Sequence, residues 1–318
     1  MNQLTFTNGD TLAAIGLGTW KSAPGEVHRA VTEAVRAGYR HIDCAAIYGN
    51  EPEIGQALRG LLEQGIVKRE ELWITSKLWN TAHRKEDVLP TLKKTLHDLQ
   101  LDYLDLYLMH WPIALRPDLT TFPEEAEDFV SLDEVPLIET WRAMEAAAEQ
   151  GLAKHLGVSN FSVKKLQALQ EQATRAPEMN QVEMHPLLQQ NDLLTFCQQQ
   201  NIHLTAYSPL GSGDRPERLK KQDDVNLLEE PTIRRIADKH GCSTAQVLIR
   251  WAVARGTAVI PKSVNPERIR QNLAAAQVKL AEQDMQQIAK LDRHRRYVDG
   301  STWVMEGNSY TLANLWDE

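Results

Sequence analysis

Apolar side chains along this chain follow two rhythms that take turns. Short apolar runs lie at 15–18, 41–43, 72–75, 103–109, 156–158, 179–182, 202–206 and 258–260. Between the first two, Val27, Ala30, Val31, Ala34 and Val35 recur at the spacing of one helical face, and Ile54, Leu58, Leu61 and Leu62 repeat that spacing in the next interval. Runs alternating with helical stripes are the pattern of βα units around a parallel sheet. Eight of them predict a closed (β/α)₈ TIM barrel. A doubly wound open sheet carries the same pattern, because periodicity does not reveal closure.

Other segments depart from this rhythm. Leu4, Phe6 and Leu12 flank Asn8-Gly9, a turn pair that predicts an N-terminal β-hairpin. Two long segments, 111–135 and 210–224, follow strands and in a barrel lie at its catalytic end; loops of such length are functional or disordered. The tail after Arg296 carries Trp303, Met305, Tyr310, Leu312, Leu315 and Trp316 without a clear period. No linker, low-complexity tract or charge block interrupts the chain. Residues 1–318 are therefore expected to form one barrel domain, with 297–318 a substrate-loop tail.

Composition narrows the function. The 318 residues are 42% hydrophobic and 25% charged, enough for a sizeable core. A net charge of -8 disfavours nucleic acid and anionic membranes, which need a basic face, though a phosphate can still answer to a local cluster of cations. Cys44, Cys197 and Cys242 are odd in number and scattered, and the ten histidines contain no His-x-x-x-His pair, so neither a disulfide framework nor a metal site is expected. The first residues lack a charged segment leading into an apolar run, and no stretch approaches membrane-spanning length. The cytoplasm is the default location.

Asp43, Lys77 and His110 each end a strand run, and Tyr48 lies five positions beyond Asp43. Each has an ordinary structural reading as a cap, a loop packing residue, a solvated strand end or a core histidine. Their shared position at C-terminal strand ends is where barrel enzymes keep their sites. An ammonium after an apolar run wants an anion, and Asp43 on the adjacent strand supplies one. A neighbouring Lys77 is expected to lower the Tyr48 pKa from its usual value of about 10. Acid, tuner and orienting imidazole together suit carbonyl reduction. A Schiff-base aldolase using Lys77 or Lys262 is the competing enzymatic reading. Gly16-Leu17-Gly18-Thr19-Trp20-Lys21 begins like a dinucleotide-binding glycine loop, but Lys21 replaces the last glycine and no free acid follows at the ribose spacing.

Gly38-Tyr39-Arg40-His41-Ile42-Asp43 with Tyr48, Gly157-Val158-Ser159-Asn160-Phe161 and Ile260-Pro261-Lys262-Ser263-Val264 resemble, in order, three signatures of the aldo-keto reductase superfamily. The resemblance covers nearly the whole chain, most closely from Gly16 to about Asn272. It is of the aldose/aldehyde reductase kind, with a tail more similar to plant and bacterial members than to animal aldose reductases. It implies an NADPH-dependent oxidoreductase, an alcohol dehydrogenase (NADP⁺) in the reverse direction, with Asp43, Tyr48, Lys77 and His110 as catalytic tetrad and Tyr48 as general acid. It further implies that Ser159, Asn160 and Gln181 hold the nicotinamide carboxamide and that Tyr207 stacks on the ring. Lys262, Ser263 and Arg268 would bind the 2′-phosphate of NADP(H), and Gln271 and Asn272 contact adenine, although many relatives have an acid where Gln271 stands. Thr19, Trp20, Ser208, Leu210, Ser212 and Val264 complete the expected cofactor contacts. Lys262, Ser263 and Arg268 also stand near the start of the last unit's helix, where backbone N–H groups favour an anion. Trp20, Trp79, His110, Trp111, Phe122 and Trp303 are expected to shape the pocket for a small-molecule carbonyl or alcohol. The family also implies a monomer. Some relatives are channel-associated binding subunits, which leaves a non-enzymatic reading beside the catalytic one.

Overall fold

The first structured element of the computed structural model, which describes residues 3–318 apart from the side chain of Arg218, is the expected hairpin. Strands β1 (Gln3–Thr5) and β2 (Thr11–Ala13) pair antiparallel around Gly9, whose φ of 92° suits glycine. Leu4, Phe6 and Leu12 then cluster with Trp73, Leu106, Leu108, Met179 and Ala258. Trp73, Met179 and Ala258 begin their strands, so the hairpin plugs the N-terminal end of the sheet.

The chain continues through β3 (Leu17–Gly18), α1 (Glu26–Ala37), β4 (His41–Asp43), α2 (Glu51–Glu63), β5 (Trp73–Leu78), α3 (Lys85–Leu99) and β6 (Leu104–Met109). After an antiparallel pair, β7 (Ala114–Leu115) and β8 (Phe129–Val130), come α4 (Leu137–Glu149), β9 (Ala153–Ser159), α5 (Val163–Gln170), β10 (Met179–Glu183), α6 (Asn191–Gln199) and β11 (His203–Tyr207). Two helices in succession, α7 (Pro231–His240) and α8 (Thr244–Ala254), precede β12 (Ala258–Val259). Helices α9 (Pro266–Ala274), α10 (Glu282–Ala289) and α11 (Leu312–Trp316) complete the chain.

The eight strands β3, β4, β5, β6, β9, β10, β11 and β12 pair in that order, each parallel to the next. Closure comes from backbone bonds between the ends of the order. Gly16 N donates to Val259 O at 2.8 Å, Val259 N to Ala14 O at 2.7 Å and Gly18 N to Pro261 O at 3.3 Å. The sheet is a (β/α)₈ barrel. On α1, Val27, Ala30, Val31, Ala34 and Val35 are all buried against it, and on α2 Ile54, Leu58 and Leu61 are, with Leu62 half-buried.

The segments without rhythm hold more regular structure than their sequence predicts. The 111–135 loop contains the β7–β8 pair, and the tail contains a 3₁₀ turn at Ser301–Trp303 besides α11. A single phenol joins the two: Tyr310 Oη accepts from Ala114 N at 2.9 Å and donates to Val130 O at 2.7 Å. Elements this short have too few side chains to display a period. Among the described residues, no helix is long and apolar enough to cross a membrane.

Candidate active site

A cleft of about 680 Å³ opens at the C-terminal ends of the barrel strands. Asp43, Tyr48 and His110 line it, whereas Lys77, 1% exposed, stands behind its wall. Because β4 and β5 are adjacent in parallel register, the strand-end acid and amine meet. Lys77 Nζ donates to Asp43 Oδ2 at 2.6 Å and to Cys44 O at 2.8 Å, and lies 3.5 Å from Tyr48 Oη. Burial pulls the ammonium down, but Asp43 and Tyr48 more than offset this, so Lys77 is raised and stays charged.

The expected depression of the Tyr48 phenol does not occur. Lys77 acts in that direction, but burial acts more strongly and Tyr48 is pushed up to about 12. Tyr48 therefore keeps its proton at neutral pH. Burial, with Lys77 and His83 nearby, drives His110 well below its usual value, leaving a neutral imidazole. Its ring stands 5.2 Å from that of Trp79 and 6.0 Å from that of Tyr48.

A second group of polar side chains adjoins the first. Gln181 Nε2 donates to Asp43 Oδ1 at 2.7 Å, so Asp43 uses both oxygens. Asn160, held at φ 64° as asparagine tolerates, donates from Nδ2 to His110 O at 2.9 Å and to Ser159 Oγ at 3.1 Å. Ser159 Oγ donates to Gln181 O at 2.7 Å, and Tyr207 Oη donates to Asn160 Oδ1 at 2.8 Å. Strands β9, β10 and β11 thus present Ser159, Asn160, Gln181 and Tyr207 as one bonded unit beside the tetrad.

Farther along, the cleft is lined by Thr19, Ser208, Leu210, Ser212, Lys262, Ser263, Val264, Arg268, Gln271 and Asn272. The start of α9 differs from the expected anion-binding helix end. Asn265 Oδ1 takes the N–H groups of Glu267 and Arg268, both at 3.0 Å. Those two N–H groups are thereby taken from an anion, while the exposed Arg268 guanidinium makes no ion pair among the described residues. Gln271 donates to Glu267 Oε1 at 3.0 Å.

Lys21 and Asp214 matter here although sequence reasoning did not single them out as site residues. Asp214 Oδ1 lies 3.2 Å from Lys21 Nζ and its Oδ2 lies 3.7 Å from Lys262 Nζ, joining β3 and β12 loops to the 210–224 loop across the cleft. Lys21 stood out in the sequence as a glycine replaced; its φ is 60°. Nothing local marks Asp214.

At the opposite end Trp20, Trp79, Trp111, Phe122 and Trp303 line an aromatic cup. The Trp303 ring centroid lies 5.9 Å from that of Trp79, 5.4 Å from Trp111 and 6.2 Å from Phe122, which is 43% exposed.

Comparisons with known proteins give this barrel its class, an oxidoreductase. The chain matches the Aldo/keto reductase family over residues 14–293. It is 56% identical to an aldo/keto reductase of Synechocystis sp. over 318 residues, 100% of this chain and 97% of that relative. It is 50% identical to aldo-keto reductase family 1 member A1 of Homo sapiens over 291 residues, 91% of this chain and 89% of the relative. The solved structure of the aldose reductase from Schistosoma japonicum matches with a TM-score of 0.88 at 38% identity, covering 97% of each chain. The chain belongs to the aldo/keto reductase family.

Proposed function

We propose that this protein reduces aldehydes or ketones to alcohols with NADPH, reversibly, and that Tyr48 delivers the proton. The observation that carries this reading is the Tyr48 phenol, held protonated in the cleft between the charged Lys77 and the neutral His110. A carbonyl oxygen within reach of Tyr48 Oη and the His110 ring accepts hydrogen bonds from both. Charge developing on that oxygen draws the phenolic proton, and Lys77 stabilises the phenolate left behind. Asp43 keeps Lys77 charged and aimed.

The donor set suits a nicotinamide dinucleotide. Ser159, Asn160 and Gln181 match an amide, Tyr207 offers an aromatic face, and Lys262, Ser263 and Arg268 match a 2′-phosphate. When bound, the reduced nicotinamide supplies the hydride. Lys77, already engaged by Asp43 and Cys44 and kept charged, is poorly placed to act as a Schiff-base amine.

Absorbance of NADPH followed against a panel of aldehydes tests the reading. Tyr48→Phe keeps the ring and removes the acid, so turnover should drop by roughly 10²–10⁴ while NADPH affinity stays near wild type. Near-normal turnover in that variant would assign the proton to another group, His110 first.

A further inference from the structure

Two positions beyond Gln181, at the end of β10, the Glu183 carboxylate is 2% exposed and collects three N–H donors. Its Oε1 accepts from His185 Nε2 at 2.7 Å and from Tyr297 N at 2.7 Å, and its Oε2 accepts from Val298 N at 2.8 Å. Tyr297 and Val298 are the root of the tail. Immediately before them, Arg293 N and Arg295 N donate to Leu187 O at 3.1 and 2.9 Å, which fixes the approach of the chain. Trp303, the aromatic that the tail adds to the cup, follows five positions after Val298.

We infer that Glu183 is a positioning residue for substrate selection: its carboxylate anchors the tail root and thereby sets Trp303 over the substrate end of the cleft. This rests on the carbonyl-reductase reading for its substrate readout. Barrel strands are the most rigid platform the fold offers, so an anchor on β10 gives the tail a fixed origin beside the reacting groups. The root is also tied to the loop that carries Asp214. Arg295 pairs with Asp223 at 2.6 Å and Asp224 at 2.8 Å, Tyr297 Oη donates to Val225 O at 2.5 Å, and Lys221 Nζ lies 2.6 Å from Asp299 Oδ2. The ion pairs among them involve exposed or part-exposed side chains and are screened by solvent, and the bond from the buried Tyr297 hydroxyl joins neutral groups. The two Glu183 bonds to the root are charge-assisted and come from a carboxylate 2% exposed, so the anchor resides there.

Glu183→Gln is near-isosteric but replaces one acceptor oxygen with an NH₂ that must face a donor. The experiment compares wild type, Glu183→Gln, Trp303→Ala and the double variant on 2-naphthaldehyde and on propanal. Each single variant should lower kcat/KM for the bulky aldehyde about tenfold or more relative to the small one, mainly through KM. The double variant should shift that ratio no further than Trp303→Ala alone, because the anchor acts through the ring. Equal losses on both aldehydes, or shifts that add in the double variant, would overturn the inference. Amide hydrogen exchange provides a readout independent of turnover and of the variant's folding. In wild type, Tyr297 and Val298 should be protected well beyond their tail neighbours; exchange as fast as theirs would also sink the idea. A wild type that reduces neither aldehyde would remove the carbonyl-reductase reading, while the exchange data still decide the anchor.

Discussion

A charged Lys77 lies 3.5 Å from Tyr48, yet the phenol is pushed up rather than down, because burial outweighs a neighbour that Asp43 has already partly neutralised. Residue identity along the chain gives the neighbour but not the burial. The cations at the far end of the cleft invite a direct measurement. Replacing Lys262 and Arg268 with neutral residues should weaken NADPH binding by about 1.5–3 kcal/mol for each charge-assisted bond lost, and NADH binding little. Titration of both cofactors by tryptophan fluorescence checks this, and equal losses would move these cations to the pyrophosphate or to a structural role. That Asp43, Lys77 and His110 would meet near Tyr48 was legible because strand ends in a parallel barrel converge. Asp214 and Glu183 were not, since each acquires its role from partners that only chain folding brings near.

The N-terminal hairpin adds an ion-paired contact to its apolar packing. His155, at 0% exposure on β9, stands between Asp10 Oδ2 and Glu178 Oε1, each 2.9 Å away, while Phe6 packs on its ring at 4.3 Å. Burial lowers the imidazole, but the two carboxylates outweigh it and His155 is raised. A folded-state value above the unfolded one of about 6.5 gives stabilisation that is full below that pH and is lost as pH rises through the folded value. Melting temperatures of wild type and His155→Gln should therefore differ most near pH 5–6, roughly, and converge at higher pH. A difference that grows with pH would mean that the neutral ring holds the hairpin. The hairpin itself was readable from Asn8-Gly9, whereas its attachment through His155 was not. In the 111–135 loop and the tail the two- and five-residue elements are fixed by Tyr310 and by the aromatic cup, not by local period.

For the molecule as a whole, closure depends on how near β3 approaches β12. A Cβ added at Gly18 would lie 2.7 Å from Ile260 O, a backbone atom with little room to shift. Gly18→Ala should therefore destabilise the barrel by about 1–3 kcal/mol. Urea unfolding would show it as a lower midpoint, and an unchanged midpoint would mean that the seam can widen without loss. The sequence by itself determined the number and order of the βα units, which faces of α1 and α2 are buried, and which chemical groups stand at strand ends. Those features follow from periods and spacings within single elements. The tertiary structure alone decided that the sheet closes, that Tyr48 stays protonated, that Asp214 spans the cleft and that Glu183 holds the tail. Each of these depends on burial or on a hydrogen bond between segments far apart in the chain, and neither quantity exists until the barrel has formed.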